Sequence, residues 1–255
     1  MLAKIESQKE IAKNIFDLRL LLPAPIQALP GQFMLLYPED GSLLLPRPIS
    51  ICEVLKNGNL LRLIYRATGK GTLAFARLSI GDSLRLEGPR GNGFPLEGDA
   101  PVLIGGGIGI FPLLELAKRF SGNAKIILGY QSPPYFLAED FAQHGEVFLS
   151  VMEKEASSKE EYPLREGTVM EWHEEIEKAG TLFACGPAGM LRAIKEFAMS
   201  RNIPAWLSLE ERMACGIGAC LGCVTKTANI DAHSQVKNAR VCREGPVFPA
   251  SEVYP

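Results

Sequence analysis

The sequence has no marked excess of charge of either sign and no long hydrophobic run. Its 27 basic and 29 acidic residues give a formal net charge of −2, with no polybasic tail, so nucleic-acid binding is not expected. The start has scattered charges and no apolar core, which argues against a secretory leader and predicts a cytoplasmic location. The uncharged segment 100–114 is too short and too rich in glycine and proline for a membrane span, and it predicts a strand, a loop and a helix start.

The cysteines are too unevenly spread for a disulfide framework, because four of the six fall within the last 41 residues. Those four follow the spacing C-x4-C-x2-C, with a fourth cysteine further on, which is the plant-type ferredoxin pattern of a binuclear iron-sulfur cluster. The predicted ligands are Cys215, Cys220, Cys223 and Cys242. Glycines at 216, 218 and 222 predict a curled loop whose backbone N–H groups point at the sulfurs.

A structural zinc site remains an alternative, since four thiolates also suit tetrahedral zinc. Zinc sites usually pair two short knuckles, whereas here one CxxC overlaps a C-x4-C. Cys52 lies in an apolar strand and is interpreted as a small buried hydrophobe.

The pattern of apolar residues divides the chain into three predicted domains and a fold of mixed α and β type. Short strands at 32–37, 49–55 and 60–65 indicate an antiparallel β-barrel. From Pro101, strands at 102–104, 125–129, 147–151 and 181–184 alternate with helices, including 171–179 and 188–199, which predicts a parallel sheet. The predicted domains are residues 1–97 (barrel), 98–205 (α/β nucleotide domain) and 206–255 (small cluster domain).

Two strand-end loops of the second domain predict a nucleotide site. Gly105, Gly106, Gly107 and Gly109 follow a strand and open a helix, where a pyrophosphate can bind, although tight packing alone also explains such a turn. A second loop, Cys185-Gly186-Pro187, ends another strand at the same sheet edge. On the barrel side, Arg62 and Arg66 alternate with apolar residues and predict a pocket edge for an anion.

Three motifs in this order, Arg47-Pro48-Ile49-Ser50, residues 105–109 and Cys185-Gly186-Pro187, resemble the ferredoxin reductase-like flavoproteins. Residues 211–223 and 241–248 are more closely similar to the electron-transfer subunits of NAD-dependent, class 1B dihydroorotate dehydrogenases. The resemblance covers essentially the whole chain.

The resemblance implies bound FAD, a 2Fe-2S cluster and NAD as electron partner. It assigns FAD to Arg47, Pro48, Ile49, Ser50, Ile64, Tyr65, Arg66, Gly71 and Thr72, with Gly71 admitting phosphate at a short helix over 72–77. It also implies an FMN-containing catalytic subunit that oxidises dihydroorotate in pyrimidine biosynthesis, in a heterotetramer with two copies of each chain. No residue of this chain is predicted to be catalytic.

Two other functions remain open at this point. One is the small subunit of a ferredoxin:NADP or sulfide-linked reductase, in which an aspartate replaces one cluster cysteine. The other is a zinc-stabilised nucleotide-binding module, which would be colourless. Residues 129–132 offer neither a plain acid nor an arginine to read the ribose, and Asp231 and His233 are interpreted as ordinary polar loop residues.

Overall fold

The computed structural model describes residues 1–153, 161–231 and 235–254. His233, interpreted above as a polar loop residue, lies outside these residues.

The N-terminal part forms the antiparallel barrel that the strand pattern predicts. Its strands are β1 (Leu2–Ala12), β2 (Ile15–Leu21), β3 (Phe33–Tyr37), β4 (Arg47–Leu55), β5 (Leu60–Arg66) and β6 (Ser83–Arg90). The barrel closes in the order β1-β2-β5-β4-β3-β6. A 3₁₀ turn (Lys56–Gly58) joins β4 to β5, and helix α1 (Lys70–Phe75) precedes β6. Inward-facing residues such as Leu18, Leu36 and Leu61 are fully buried and fill the barrel.

The second part is a parallel sheet flanked by short helices, as the alternating pattern predicts. Its strands are β7 (Pro101–Gly106), β8 (Ala124–Tyr130), β9 (Gly145–Val151), β10 (Leu164–Glu166), β11 (Thr181–Cys185) and β12 (Ala205–Ser208). Its helices are α2 (Leu114–Arg119), α3 (Ala138–Ala142), α4 (His173–Ile176) and α5 (Ala188–Arg201), with 3₁₀ segments at Gly107–Leu113 and Val169–Trp172. The segment 100–114 is therefore a strand followed by a helical turn.

The last part contributes to two sheets. Strands β13 (Val224–Lys226) and β14 (Asn238–Arg240) pair with each other, whereas β15 (Val247–Pro249) runs antiparallel to β12. The larger sheet has the order β10-β9-β8-β7-β11-β12-β15. After the cysteine loop the chain thus returns to the edge of the nucleotide sheet. The domain boundary predicted between residues 205 and 206 falls after the first residue of β12.

Helix positions differ from the sequence prediction in two places. The predicted helix over 171–179 is a 3₁₀ segment followed by the single turn of α4, which ends at Ile176. The helix predicted over 72–77 begins two residues earlier, at Lys70, and ends at Phe75. None of the helices among the described residues is long and apolar enough to cross a membrane.

The prediction that Arg62 faces an anion pocket was wrong. Arg62 is only 5% exposed, because the outer face of β5 is covered by the sheet's helical layer instead of by solvent. Alternation along a strand identifies the two faces, but it does not show that a second domain packs on the outer one.

Arg62 is the centre of a buried ionic network between the barrel and the sheet. Its guanidinium contacts Asp17 at 2.8 Å and Glu53 at 2.6 Å within the barrel, and Asp140 on α3 at 3.1 Å. Lys118 on α2 reaches across to Glu53 at 2.6 Å. Burial opposes the charged state, yet the bonds to Asp17 and Glu53 raise the pKa of Arg62 above its ordinary value.

Arg62→Met should destabilise the chain by about 3–5 kcal/mol, because it leaves three carboxylates without their shared cation. Arg19 is the matched control, since it pairs with Arg62 across β2 and β5 but is 41% exposed and lies 4.0 Å from Asp17. Arg19→Met should change stability by less than about 1 kcal/mol. Urea unfolding of both variants makes the comparison, and equal effects would contradict a central role for Arg62.

Candidate functional site

A single large cavity lies where one end of the barrel meets the carboxyl edge of the parallel sheet. Its volume is about 1370 Å³, larger than the roughly 300–1,000 Å³ typical of a site for one small ligand. The predicted residues that line it are Arg47, Pro48, Ile49, Ser50, Ile64, Tyr65, Arg66, Thr72, Gly106, Gly107, Gly109, Cys185, Gly186 and Pro187. The structure therefore brings both predicted nucleotide regions to one space, with room for more than one ligand.

Two predicted residues, Gly71 and Gly105, do not line the cavity but support its walls. A Cβ on Gly71, a residue of α1, would lie 2.3 Å from Nε of Arg47 on β4, so the missing side chain leaves space for the Arg47 guanidinium. A Cβ on Gly105 would meet the Cα of Ile110 at 2.9 Å, so this glycine allows β7 to pack against the turn that follows it. The Arg47 side chain therefore occupies the space beside Gly71, and the direct approach of this glycine to phosphate stays a prediction.

The barrel wall presents cationic and polar groups to the cavity. Arg47 is anchored by a hydrogen bond that its guanidinium donates to the carbonyl of Leu45, and Arg66 is exposed at the end of β5. The hydroxyl of Thr72 accepts hydrogen bonds from the backbone N–H groups of Thr68 and Gly69, at 3.1 Å each. This side of the cavity suits an anionic group such as a diphosphate.

Tyr65 contributes to the wall without offering a free hydroxyl. The residue is 2% exposed, and its hydroxyl donates to Oε1 of Gln8 at 3.1 Å. Burial raises the pKa of Tyr65 above its ordinary value. The Tyr65 ring packs on Phe16 and against the edge of Phe75 in the barrel core.

The sheet wall depends on backbone contact between the two strand-end loops. Gly105 and Cys185 are paired on the neighbouring strands β7 and β11. A Cβ on Gly109 would lie 2.3 Å from the carbonyl oxygen of Cys185, and one on Gly186 would lie 2.4 Å from Cε of Met190. At Gly109 the contacted atom belongs to the backbone, so only glycine permits the approach, whereas at Gly186 it is the flexible end of the Met190 side chain.

Cys185 is held as a neutral thiol at the floor of the cavity. Burial of its sulfur raises the pKa to about 12, against a smaller opposing effect of its hydrogen bond with Ser208, while Glu210 adds to the rise. Ser208 and Glu210 were missed by the sequence prediction. Ser208 is the last residue of β12, the strand beside β11, and Glu210 follows it, so the parallel order brings a third strand end to the same edge.

Other cavity residues also escaped the sequence prediction. They are Leu43, Leu44, Leu45 and Pro46 before β4, Phe111 and Pro112 after the glycine loop, Leu209 to Met213 before the cysteine loop, and Tyr254. No motif marks them, because they come to the cavity only through the packing of the three parts.

The four predicted cluster cysteines lie near one another, three of them in the loop before β13 and Cys242 just after β14, and each sulfur receives a backbone hydrogen bond. Among the described residues, no group of three or more His, Cys, Asp or Glu side chains is arranged as it stands to hold a metal ion. The N–H of Gly218 donates to Sγ of Cys242 at 3.1 Å, and that of Ala219 donates to Sγ of Cys215 at 3.3 Å. The N–H of Gly222 donates to Sγ of Cys220, and the N–H of Cys242 donates to Sγ of Cys223, each at 3.4 Å. All four are free thiols, and each sulfur has the N–H donor that thiolates of a cluster require.

Left-handed backbone positions curl this loop. Gly216 and Gly218 have φ of +67° and +82°, as the glycines predict, but the third such position is Leu221 at +57° and not Gly222. The N–H donors favour a charged sulfur. Burial acts against this at Cys215, yet N–H groups of Ile217, Cys220 and Ala219 and the Cys220 thiol lower its pKa to about 6.

The most buried cysteines have the opposite tendency. Cys52 is fully buried between strands, as predicted, and burial raises the pKa of its thiol well above the ordinary value. Burial and the neighbouring Cys223 thiol raise the pKa of Cys242 to about 12 in the metal-free protein. Cys242 therefore suits a cation that compensates its charge.

The cysteine loop is fixed against both other parts of the chain. A Cβ on Gly216 would lie 2.5 Å from the side chain of Leu35 on β3, so the loop touches the barrel. Arg240 donates to the carbonyl of Gly218 at 2.9 Å and pairs with Glu244. Asn92, just after β6, donates through its side chain to the carbonyl of Glu244 at 2.8 Å. The loop is held at the cavity end of the barrel.

Comparisons with known proteins agree with this arrangement. Residues 210–254 match a family described as the iron-sulfur cluster binding domain of dihydroorotate dehydrogenase B. The chain is 39% identical to the dihydroorotate dehydrogenase B (NAD(+)) electron transfer subunit of Bacillus mycoides, covering 98% of this chain and 96% of that protein. It is 38% identical to the subunit of the same name from Listeria monocytogenes, covering 98% and 97%.

Solved structures share the fold. The NADH-dependent reduced ferredoxin-NADP oxidoreductase, studied for flavin-based electron bifurcation, has a TM-score of 0.84 at 24% identity, covering 99% of this chain and 90% of that chain. A cytochrome P450 reductase of Amycolatopsis has a TM-score of 0.66 at 25% identity, covering 79% and 66%. The first of these structures shares nearly the whole fold of this chain, and the second shares most of it.

Gly109→Ala should lower the affinity for nicotinamide nucleotide at least tenfold, because the new methyl group forces the two strand-end loops apart. Gly189→Ala is the matched control, since a Cβ there meets nothing within 4 Å and alanine favours the helix. Calorimetric titration of NAD⁺ into both purified variants measures the difference. Equal affinities would show that the Gly109 contact does not shape the nucleotide site.

Proposed function

Because the chain belongs to the family of the electron transfer subunits of dihydroorotate dehydrogenase B, we propose that it carries electrons between a catalytic partner subunit and NAD through a 2Fe-2S cluster and FAD. Oxidation of dihydroorotate on the partner releases two electrons and two protons. NAD⁺ takes up both electrons with one proton, as a hydride, and the second proton passes to solvent. When bound, FAD supplies the exchange between single electrons and hydride.

One observation carries this proposal: the barrel wall, the two strand-end loops and the segment leading to the cysteine loop all border the same cavity. Met213 lines that cavity, and Cys215 follows two residues later. The groups assigned to FAD, NAD and the cluster are therefore neighbours. Such proximity is what a relay between the three requires.

We assign FAD to the barrel wall. Arg47, seated over Gly71, would neutralise the diphosphate, with Arg66 as a second cation at the end of β5. Ser50 and the backbone of Ile64 would face the flavin ring. The steric fit of Arg47 to Gly71 supports this placement, since the glycine fixes the guanidinium where a charge-assisted bond can form.

We assign NAD to the sheet wall. The backbone N–H groups at Gly106 to Gly109 would bind its pyrophosphate, and the loop Cys185 to Pro187 would border the nicotinamide. Cys185 stays protonated at neutral pH because of its raised pKa, so it adds no negative charge beside the ring. The cavity is open between the two walls, which permits the nicotinamide to reach the flavin.

We assign the cluster to Cys215, Cys220, Cys223 and Cys242. Four thiols with directed N–H donors on a curled loop suit a binuclear cluster. The spacing of the cysteines also supports a binuclear cluster over a structural zinc site, because zinc sites usually combine two separate CxxC pairs. Cysteine at all four positions further disfavours the reductase subunits in which one ligand is aspartate.

We place the partner at the outer side of the cysteine loop. Cys220 is exposed, and the adjacent side chains of Ile217 and Leu221 are 49% and 50% exposed. Apolar side chains around an exposed cluster ligand suit a protein contact that brings a second redox centre close. By family resemblance that centre is FMN, in a heterotetramer of two copies of each subunit.

We also place the protein in the cytoplasm. None of the six cysteines, all of which lie within the described residues, forms a disulfide, as is usual in a reducing compartment.

Cys220→Ser should block electron exchange with the partner but spare NADH oxidation by artificial two-electron acceptors. Serine oxygen is a harder ligand than thiolate and weakens the cluster, whereas hydride transfer takes place at the cavity. Dihydroorotate-dependent NAD⁺ reduction with the FMN subunit, and NADH-dependent dye reduction, are measured on the same preparation.

Lys226→Ser is the control for cluster retention, because Lys226 is exposed on β13 of the same segment and contacts no sulfur. FAD content and circular dichroism show whether both variants are folded, and iron content shows whether each retains the cluster. A folded, FAD-loaded Cys220→Ser protein that has lost the cluster yet supports the partner reaction at the wild-type rate would refute the path.

A further inference from the structure

Arg240 is a buried cation beside the cysteine loop. Only 5% of the residue is exposed, and it ends β14, just before the predicted ligand Cys242. Its guanidinium donates to the carboxylate of Glu244 through Nε at 2.9 Å and also through Nη2. The third donor, Nη1, bonds the carbonyl oxygen of Gly218 at 2.9 Å. One planar fork thus joins the turn after β14 to the cysteine loop.

The carbonyl that Arg240 holds belongs to a peptide unit whose other end faces a predicted cluster ligand. The same unit carries the N–H of Ala219, which donates to Sγ of Cys215 at 3.3 Å. This peptide bond is trans, so its C=O and N–H lie in one plane and point in opposite directions. A contact that fixes the Gly218 carbonyl therefore also fixes the direction of the N–H towards the sulfur.

The guanidinium also strengthens this N–H as a donor. A cation bonded to a carbonyl oxygen polarises the peptide, and successive hydrogen bonds in such a chain polarise one another. A stronger donor favours additional negative charge on the sulfur. Reduction of an iron-sulfur cluster adds an electron, and hydrogen bonds to the sulfurs are among the factors that set its potential. A donor of this kind therefore raises the reduction potential of the cluster.

The carboxylate of Glu244, which holds the guanidinium, is itself fixed in place. Its Oε2 also accepts the backbone N–H of Arg240 at 2.8 Å, and the N–H of Glu244 donates to the carbonyl of Arg240 at 2.9 Å. Asn92, which follows the last barrel strand, donates through Nδ2 to the carbonyl of Glu244 at 2.8 Å. The Arg240–Glu244 pair is therefore anchored both by its own turn and by the barrel.

A second arginine in the same turn lacks these contacts. The side chain of Arg243 is 62% exposed, and its Nε lies 3.9 Å from the carboxylate of Glu244. Its aliphatic part covers Gly218, since a Cβ on that glycine would lie 2.6 Å from Cδ of Arg243. Within the described part of the chain, the Arg243 guanidinium bonds no carbonyl of the cysteine loop. Arg243 thus supplies a similar charge without orienting a peptide.

We propose that Arg240 is a positioning residue that raises the reduction potential of the 2Fe-2S cluster, an inference that rests on the proposed function. It acts through the peptide between Gly218 and Ala219, whose N–H it directs at Cys215. Because Glu244 balances its charge, the effect comes from the orientation and polarisation of this peptide and not from net charge. A cluster with a higher potential accepts electrons more readily from the partner subunit.

The test is a redox titration of the full-length chain loaded with FAD and cluster, followed by low-temperature electron paramagnetic resonance. The main variant combines Arg240→Met with Glu244→Gln, which removes the guanidinium and leaves the net charge unchanged. Its equilibrium constant for one-electron reduction should fall at least tenfold, which corresponds to a potential lower by about 59 mV. The g values of the reduced cluster should change as well, because the hydrogen bond to a ligand sulfur is altered.

Two further variants complete the design. Arg243→Gln is the matched control: it removes an exposed charge that solvent screens, and its reduction constant should stay within about twofold of the wild type. Arg240→Lys keeps the buried charge but has no planar fork, so it cannot hold Glu244 and the Gly218 carbonyl in the same geometry. Its reduction constant should fall in the same direction as that of the double variant, but by less.

The outcomes separate this inference from the proposed function. A wild-type chain from iron-replete cells without the resonance of a binuclear cluster would contradict the proposed function. If that resonance is present, a wild-type potential in the loaded double variant, or an equal shift in Arg243→Gln, overturns the role of Arg240.

A double variant that takes up no cluster leaves the decision to Arg240→Lys. A wild-type potential in that variant overturns the inference. Absence of the cluster from both variants also overturns it, because Arg240 would then serve assembly of the loop and not its potential. Circular dichroism and FAD content show whether each variant is folded.

Discussion

The cavity exists only while the barrel and the sheet keep a fixed relative position, and the buried guanidinium of Arg62 is the main polar contact that fixes it. Its partners Asp17 and Glu53 belong to the barrel, whereas Asp140 belongs to the sheet's helical layer. A buried charge is strongly unfavourable unless it is paired, so separating the two parts leaves uncompensated charges. Ile64 and Arg66, two and four residues further along the same strand, line the cavity. The network thus holds the two walls of the cavity in register.

The cysteine segment depends on that arrangement because it binds to both parts. Its loop packs on Leu35 of the barrel, and β15 completes the sheet beside β12. Cys223 and Cys242 are buried in the same apolar cluster as residues of the sheet and barrel. This double attachment places the cluster ligands at one end of the cavity with Cys220 outward. The proposed relay from the outer surface to the cavity depends on this position.

Local patterns in the sequence predicted the barrel, the parallel sheet and the cysteine ligands, because strand alternation, glycine turns and ligand spacing are set by neighbouring residues. Contacts between distant parts could not be predicted in this way. Arg62 has the strand position of a solvent-facing residue, but the sheet's helical layer, which is distant in the sequence, buries it. The contact between Gly71 and Arg47 likewise joins two separate segments of the barrel.

The central claim is that NAD, FAD and the cluster exchange electrons within this one chain. Anaerobic titration of the purified, cofactor-loaded chain with NADH, followed by visible absorbance and low-temperature electron paramagnetic resonance, tests it most directly. If the three centres exchange electrons, NADH should bleach the flavin and also produce the resonance of a reduced binuclear cluster, with dithionite defining full reduction. A flavin that bleaches while the cluster remains oxidised in excess NADH would contradict it.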